Sequence, residues 1–298
     1  MKKVLFTLLI SIPIMAFTQE TVHSELCIIN PETKEVTTVY KSDYRLEAPN
    51  WTPDGKYLVY NSGGLLYRIP VEGGTPEKIN TGFATNCNND HVLSPDGKYI
   101  ALSNNDEKDH KSRIYTIPFE GGAPKLITPK GPSYLHGWSP VENKLAYCAE
   151  RNGEYDVYVI DMDTHEEIQL TDSPGLDDGA EYSPCGKHIY FNSVRTGTMQ
   201  IWRMKADGSD QEQVTSDRYN DWFAHPSPDN QWLVYISYSP KIEAGSHPPN
   251  KNVMLRRQPV AGGESEVLLE LFGGQGTINV PSWSPDSKYF AFVRYALK

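Results

Sequence analysis

The feature that most narrows what this chain can fold into is a turn that returns six times along it. Its copies are WTPDGKYLVY (51–60), LSPDGKYIAL (93–102), WSPVENKLAY (138–147), YSPCGKHIYF (182–191), PSPDNQWLVY (226–235) and WSPDSKYFAF (283–292). The turn prolines Pro53, Pro95, Pro140, Pro184, Pro228 and Pro285 lie 42, 45, 44, 44 and 57 residues apart. A period of that size fits one propeller blade of four short strands. After each turn comes a β-branched and aromatic run that reads as a strand. A second strand is expected at 65–71, 114–119, 157–162, 201–204 and 253–260, and a last one at 77–80, 125–128, 167–170, 212–215 and 266–269. Between them lie hairpin turns such as Glu72-Gly73-Gly74 and Asp207-Gly208-Ser209, where glycine supplies positive φ without a Cβ clash. No apolar spacing of helical period exceeds two turns, so the fold class is all-β: a six-bladed β-propeller.

The chain ends say how the ring closes. The sixth copy, 278–297, supplies an innermost strand and its neighbour, and Glu25–Tyr40 reads as two strands around a Pro-Glu-Thr-Lys turn. The N- and C-terminal strands are therefore expected to pair in one shared blade, which removes free sheet edges. The segment MKKVLFTLLISIPIMAFTQE carries two lysines and a short apolar run, and it reads as a cleavable signal peptide over residues 1–20. Residues 21–298 then form a single propeller domain. Cys27 follows Ser24-Glu25-Leu26, which is no lipoprotein cleavage site, so the mature protein is expected to be periplasmic or extracellular, with no membrane insertion. A formal net charge of −10 excludes nucleic acid and anionic membrane surfaces as partners. The four cysteines have no framework spacing and read as free thiols.

Asp54-Gly55-Lys56-Tyr57, Asp96-Gly97-Lys98-Tyr99 and Phe191-Asn192-Ser193-x-Arg195-x-Gly197-x-x-Gln200-Ile201-Trp202-x-Met204 resemble TolB-type β-propeller repeats, and the resemblance covers all six copies. It implies a TolB-like six-bladed propeller. That superfamily includes the periplasmic Tol-Pal component, propeller domains attached to serine peptidases, and oligogalacturonate lyases. No G-x-S-x-G elbow, H-E-x-x-H or dinucleotide fingerprint occurs in the chain. The leading expectation is a protein- or ligand-binding or scaffolding module. An envelope or secreted protein, a polar small molecule or a glycan is its expected partner. The alternative is a metal-dependent polysaccharide lyase or hydrolase resembling the oligogalacturonate lyases, with its site at the channel mouth.

Two positions of the repeat locate candidate residues. Two before each turn proline stand Trp51, Leu93, Trp138, Tyr182, Pro226 and Trp283, read as inter-blade packing. Nearer the start of each innermost strand the residues turn polar: Asn89, Asp90 and His91; His136; Asp177, Asp178 and Glu181; Asp221, Trp222 and His225. A ring brings these to one mouth, and they are the candidate ligand-binding set. Acidic and imidazole groups together suit a divalent cation or a hydroxyl-rich ligand over an anion. Asp177 and Asp178 are adjacent on a strand, so at most one of them should face the channel while the other caps the turn. The irregular insertion 237–252 lengthens the last interval and offers Lys241 and His247 as polar handles of a lid or partner contact.

Overall fold

A computed structural model describes residues 22–297, and the expected leader at 1–20 lies outside them. Among these residues every regular element is a β-strand. Five four-stranded antiparallel sheets follow one another along the chain. The first blade holds Glu47–Trp51, Tyr57–Ser62, Leu65–Pro70 and Glu77–Lys78, and the second Cys87–Leu93, Tyr99–Asn105, Ser112–Pro118 and Lys125–Leu126. The third holds Ser133–Trp138, Lys144–Arg151, Glu154–Asp161 and Glu167–Gln169. The fourth holds Asp177–Tyr182, His188–Ser193, Gln200–Lys205 and Glu212–Gln213, and the fifth Asn220–Pro226, Trp232–Tyr238, Lys251–Pro259 and Glu266–Gly273.

The sixth blade is the shared one. Val22–Ile29 runs antiparallel to Phe290–Leu297 through eight residue pairs, from Val22 with Leu297 to Ile29 with Phe290, and Val36–Ser42 flanks it outside. The expected innermost strand of this blade is mostly missing. Only the bridge between Trp283 and Phe290 is regular. Pro281 in this segment has no N–H to offer a ladder. Its neighbours hold on through Ala291 N–H to the Ser282 carbonyl and Val293 N–H to the Thr277 carbonyl.

The repeated turn is built by side chains that mimic backbone. Thr52 Oγ1 donates to Asp54 Oδ1 at 2.7 Å, and Ser94 to Asp96, Ser227 to Asp229 and Ser284 to Asp286 do the same at 2.6–2.7 Å. Each hydroxyl also accepts the N–H that opens the following strand, at Tyr57, Tyr99, Trp232 and Tyr289. Local bonds of this kind fix a turn before any tertiary contact forms. Gly55, Gly97 and Gly186 sit in this turn at φ of 76°, 69° and 70°, where a Cβ would be strained.

The apolar core lies between blades. Ala146, Val157 and Val159 of the third blade meet Ala180, Tyr182, Ile189 and Phe191 of the fourth, and Tyr190 and Ile201 of the fourth meet Ala224, Leu233 and Tyr235 of the fifth. Aromatic rings fill the widening gap between twisted sheets. The four cysteines are unpaired; Cys27, Cys87 and Cys148 are buried and Cys185 is exposed.

Each of the five complete innermost strands carries a register irregularity, between Glu47 and Asn50, Cys87 and His91, Leu135 and Gly137, Asp178 and Glu181, and Trp222 and His225. Ala48, Gly179 and Phe223, each five residues before a turn proline, have φ of 56°, 65° and 55°. Bulges re-aim side chains. Here they decide which residues reach the channel.

Candidate functional site

At the end of the channel where the innermost strands begin, a cavity of about 410 Å³ opens. The position six before the turn proline contributes Tyr134, Asp178 and Asn279 to its wall, and Asp90 and His136 join from the second and third blades. His136 Nε2 lies 2.8 Å from Asp178 Oδ1, which also accepts the Gly179 N–H at 2.7 Å. Both side chains are buried. Burial alone would favour their neutral forms, but each charge offsets the other: His136 is raised and Asp178 is held below the usual carboxylate range. Among the side chains that line the cavity, His136 Nδ1 and Asn279 Oδ1 are buried without a hydrogen-bond partner among the described residues. Asp90 accepts from Asn88 Nδ2 at 2.6 Å and from Asn279 Nδ2 at 3.2 Å, while burial, reinforced by the nearby Asp178, pushes it up to about 6.

The insertion caps this mouth. Its segment between Tyr238 and Lys251 is tied by Asn220 Nδ2 to the Ile242 carbonyl (3.0 Å), by Tyr238 Oη to the Pro248 carbonyl (3.3 Å) and by Arg45 to Asn250 Oδ1 (2.7 Å). These ties set His247 edge-on to Trp222 at 4.4 Å and to Phe223 at 5.3 Å, beside His136 and Asp178. Desolvation lowers His247, keeping a neutral imidazole among the rings. Tyr134 and Tyr155, 6.3 Å apart, form the opposite aromatic wall.

The remaining sequence candidates lie elsewhere. Asp177 turns away from its neighbour and bonds Arg195 at 2.8 Å. Arg195 in turn is held by Ser193 and Gln211 and lies over the Trp202 ring, which explains the Ser-x-Arg spacing in the fourth copy as scaffold. Asp221 is fully buried against Ser237 (2.6 Å) and Arg256 (3.4 Å), so it does not share the cavity with Asp178. His91 contacts the Val59 carbonyl at 3.3 Å in the core, Asn89 is buried outside the lining, and Trp222 supports His247 from behind. Glu181 and His225 pair deeper in the channel, Oε2 to Nδ1 at 2.6 Å. Among the described residues no three His, Cys, Asp or Glu side chains gather as a metal-ligand set. Tyr155, Leu176, Phe223 and Gln275 also line the mouth. Leu176 and Gln275 come from connections, Tyr155 from the start of the third strand of its blade and Phe223 from the bulge of the fifth innermost strand, and nothing local in the sequence marks them.

Six blades closed by a shared terminal blade, with a polar mouth at the strand starts, define a small closed propeller. Within that class the chain belongs to the TolB-like β-propeller family. Residues 110–255 match the TolB beta propeller domain. An uncharacterized protein of Agrobacterium fabrum is 48% identical over 276 residues, which are 92% of this chain and 93% of that one. A solved structure from Agrobacterium tumefaciens that carries the TolB name provisionally is similar with a TM-score of 0.89 and 48% identity, covering 93% of this chain and 99% of that one. The Tol-Pal system protein TolB of Francisella tularensis is 27% identical over 253 residues, 82% of this chain and 55% of the relative. The chain thus spans about half the length of that Tol-Pal relative.

Proposed function

We propose that this chain is a binding module of the cell envelope, periplasmic or secreted, whose capped channel mouth is its recognition site. One observation carries the reading: the buried Asp178–His136 pair lines a cavity walled by Tyr134, Tyr155, Phe223 and His247, and there His136 Nδ1 and Asn279 Oδ1 are buried without a partner among the described residues. A buried polar group without a protein partner calls for an explanation, and in a cleft of this size a bound polar group is a good one. The kinship with Tol-Pal TolB supports an envelope protein as the partner.

The test is affinity capture from the native envelope with the chain from residue 21 onward as bait, run beside a Tyr134→Ala/Asp178→Asn double variant of matched melting temperature. The partner should be retained by the parent and lost from the variant. Equal retention by both would remove the mouth from the account.

A further inference from the structure

The channel has a second mouth, at the turn end of the innermost strands, with a cavity of about 360 Å³. Its walls are Trp51, Trp138, Tyr182 and Trp283, together with the turn prolines of all six copies, and Trp283 is fixed by its Nε1 donating to the His225 carbonyl at 2.9 Å. Its lining includes one carboxylate, Glu181, and no lysine or arginine. His225 Nδ1 holds Glu181 Oε2 at 2.6 Å, and His225 Nε2 is in turn taken up by the Ile278 carbonyl. Oε1 of Glu181 is left without a protein partner among the described residues, on a side chain that is nine-tenths buried and lines the cavity.

Packing between blades accounts for the indoles as wall material and the His225 contact for one oxygen of Glu181, but neither uses the other oxygen at the base of the aromatic funnel. A carboxylate oxygen in such a place is satisfied by water or by a ligand that enters the cavity. An anion meets a carboxylate there and no lysine or arginine. A neutral polyol finds Glu181 and the Asn50, Ser94, Ser183 and Ser282 side chains as polar partners, but brings no charge to the carboxylate. A compact organic cation meets both features, its methyl groups against the π faces and its charge near Glu181.

We propose that this second mouth is a binding site for a small alkylammonium group. It is separate from the Asp178 mouth, although one strand, Asp177–Tyr182, supplies a carboxylate to each.

Choline and its uncharged isostere 3,3-dimethyl-1-butanol differ in the charge at the quaternary centre, so calorimetric titration of the parent protein with each isolates that charge. Choline should bind saturably and the isostere at least about tenfold more weakly, a difference of about 1.4 kcal/mol. Glu181→Gln and Trp138→Leu should each weaken choline about tenfold. Should Glu181→Gln fail to fold, the isostere comparison on the parent and the Trp138→Leu variant still decides. Equal binding of the two compounds, no saturable choline binding, or choline affinity unchanged in a folded variant would overturn the assignment.

Discussion

His136 and Asp178 show how two side chains that are costly alone become stable together. Each loses water on burial, and the 2.8 Å contact returns enough attraction to keep both charged. His136→Phe leaves the carboxylate buried and unpaired, which should cost about 3–5 kcal/mol in urea unfolding at pH 7. The carboxylate of that variant can be relieved by taking up a proton, so the gap to the parent should narrow as pH falls toward 4. A gap independent of pH would place the cost in packing instead. Glu47, raised to about 7, and Asp90 and Asp221, each raised to about 6, act in the opposite sense, chiefly through burial. Unfolded, these groups take up protons only near pH ~4, so their folded forms bind protons first and stability rises as pH falls from about 8 to about 6. Below ~6.5 the unfolded form of His91, whose folded value is pushed down to about 4 by burial, begins to erode that gain. The thermal midpoint should therefore climb from pH 8 to pH 6, and Glu47→Gln should flatten the climb. A midpoint that falls over this interval would contradict the assignment. Asp178 and Asp90 were legible as mouth residues because the repeat places them in innermost strands, six and five residues before their turn prolines. Asp177 and Asp221 look the same in sequence, and only the partners Arg195 and Arg256, 18 and 35 residues away, reveal them as scaffold.

At the scale of the element, the bulged innermost strand matters most. Gly179 stands at φ 65°, and a Cβ there would run into the Asn192 amide and lie 3.2 Å from Phe223. Gly179→Ala should destabilise the fold by about 1–3 kcal/mol through the strained backbone and also displace Asp178. Melting with a mouth ligand present and absent separates the two effects: a variant that melts lower but keeps the parent's ligand shift would show that the bulge serves folding alone. The strand order could be read from turn spacing, since every turn carries a Ser or Thr hydroxyl before its proline and four of the six add a carboxylate directly after that proline. The bulges could not, because alanine, glycine and phenylalanine at the shared position have no common local preference for positive φ. The insertion was visible as a break in the period, whereas the docking of its His247 on Trp222 depends on ties to Asn220, Tyr238 and Arg45 from separate parts of the chain.

For the whole molecule, closure turns six repeats into one ring. Leu26, Cys27, Phe292 and Val293 are fully buried in the seam where the two ends pair. Removing residues 286–298 deletes the strand that Val22–Ile29 pairs with and bares sheet edges on both sides, an invitation to association. The truncated chain should lose several kcal/mol, in line with ~3–5 for a single buried phenylalanine, and should self-associate in sedimentation experiments. A monomer that melts like the parent would refute the closed ring. Closure also gathers Asp90, His136, Asp178 and Asn279 from four blades at one mouth, and the account stands or falls on that mouth being the recognition site. Hydrogen exchange of the complex with its captured partner tests this most directly. The account predicts slowed exchange at 133–138, 176–182 and 239–250, around the mouth and its cap. Protection confined to the outer strands, with those three segments exchanging as in the free protein, would contradict it.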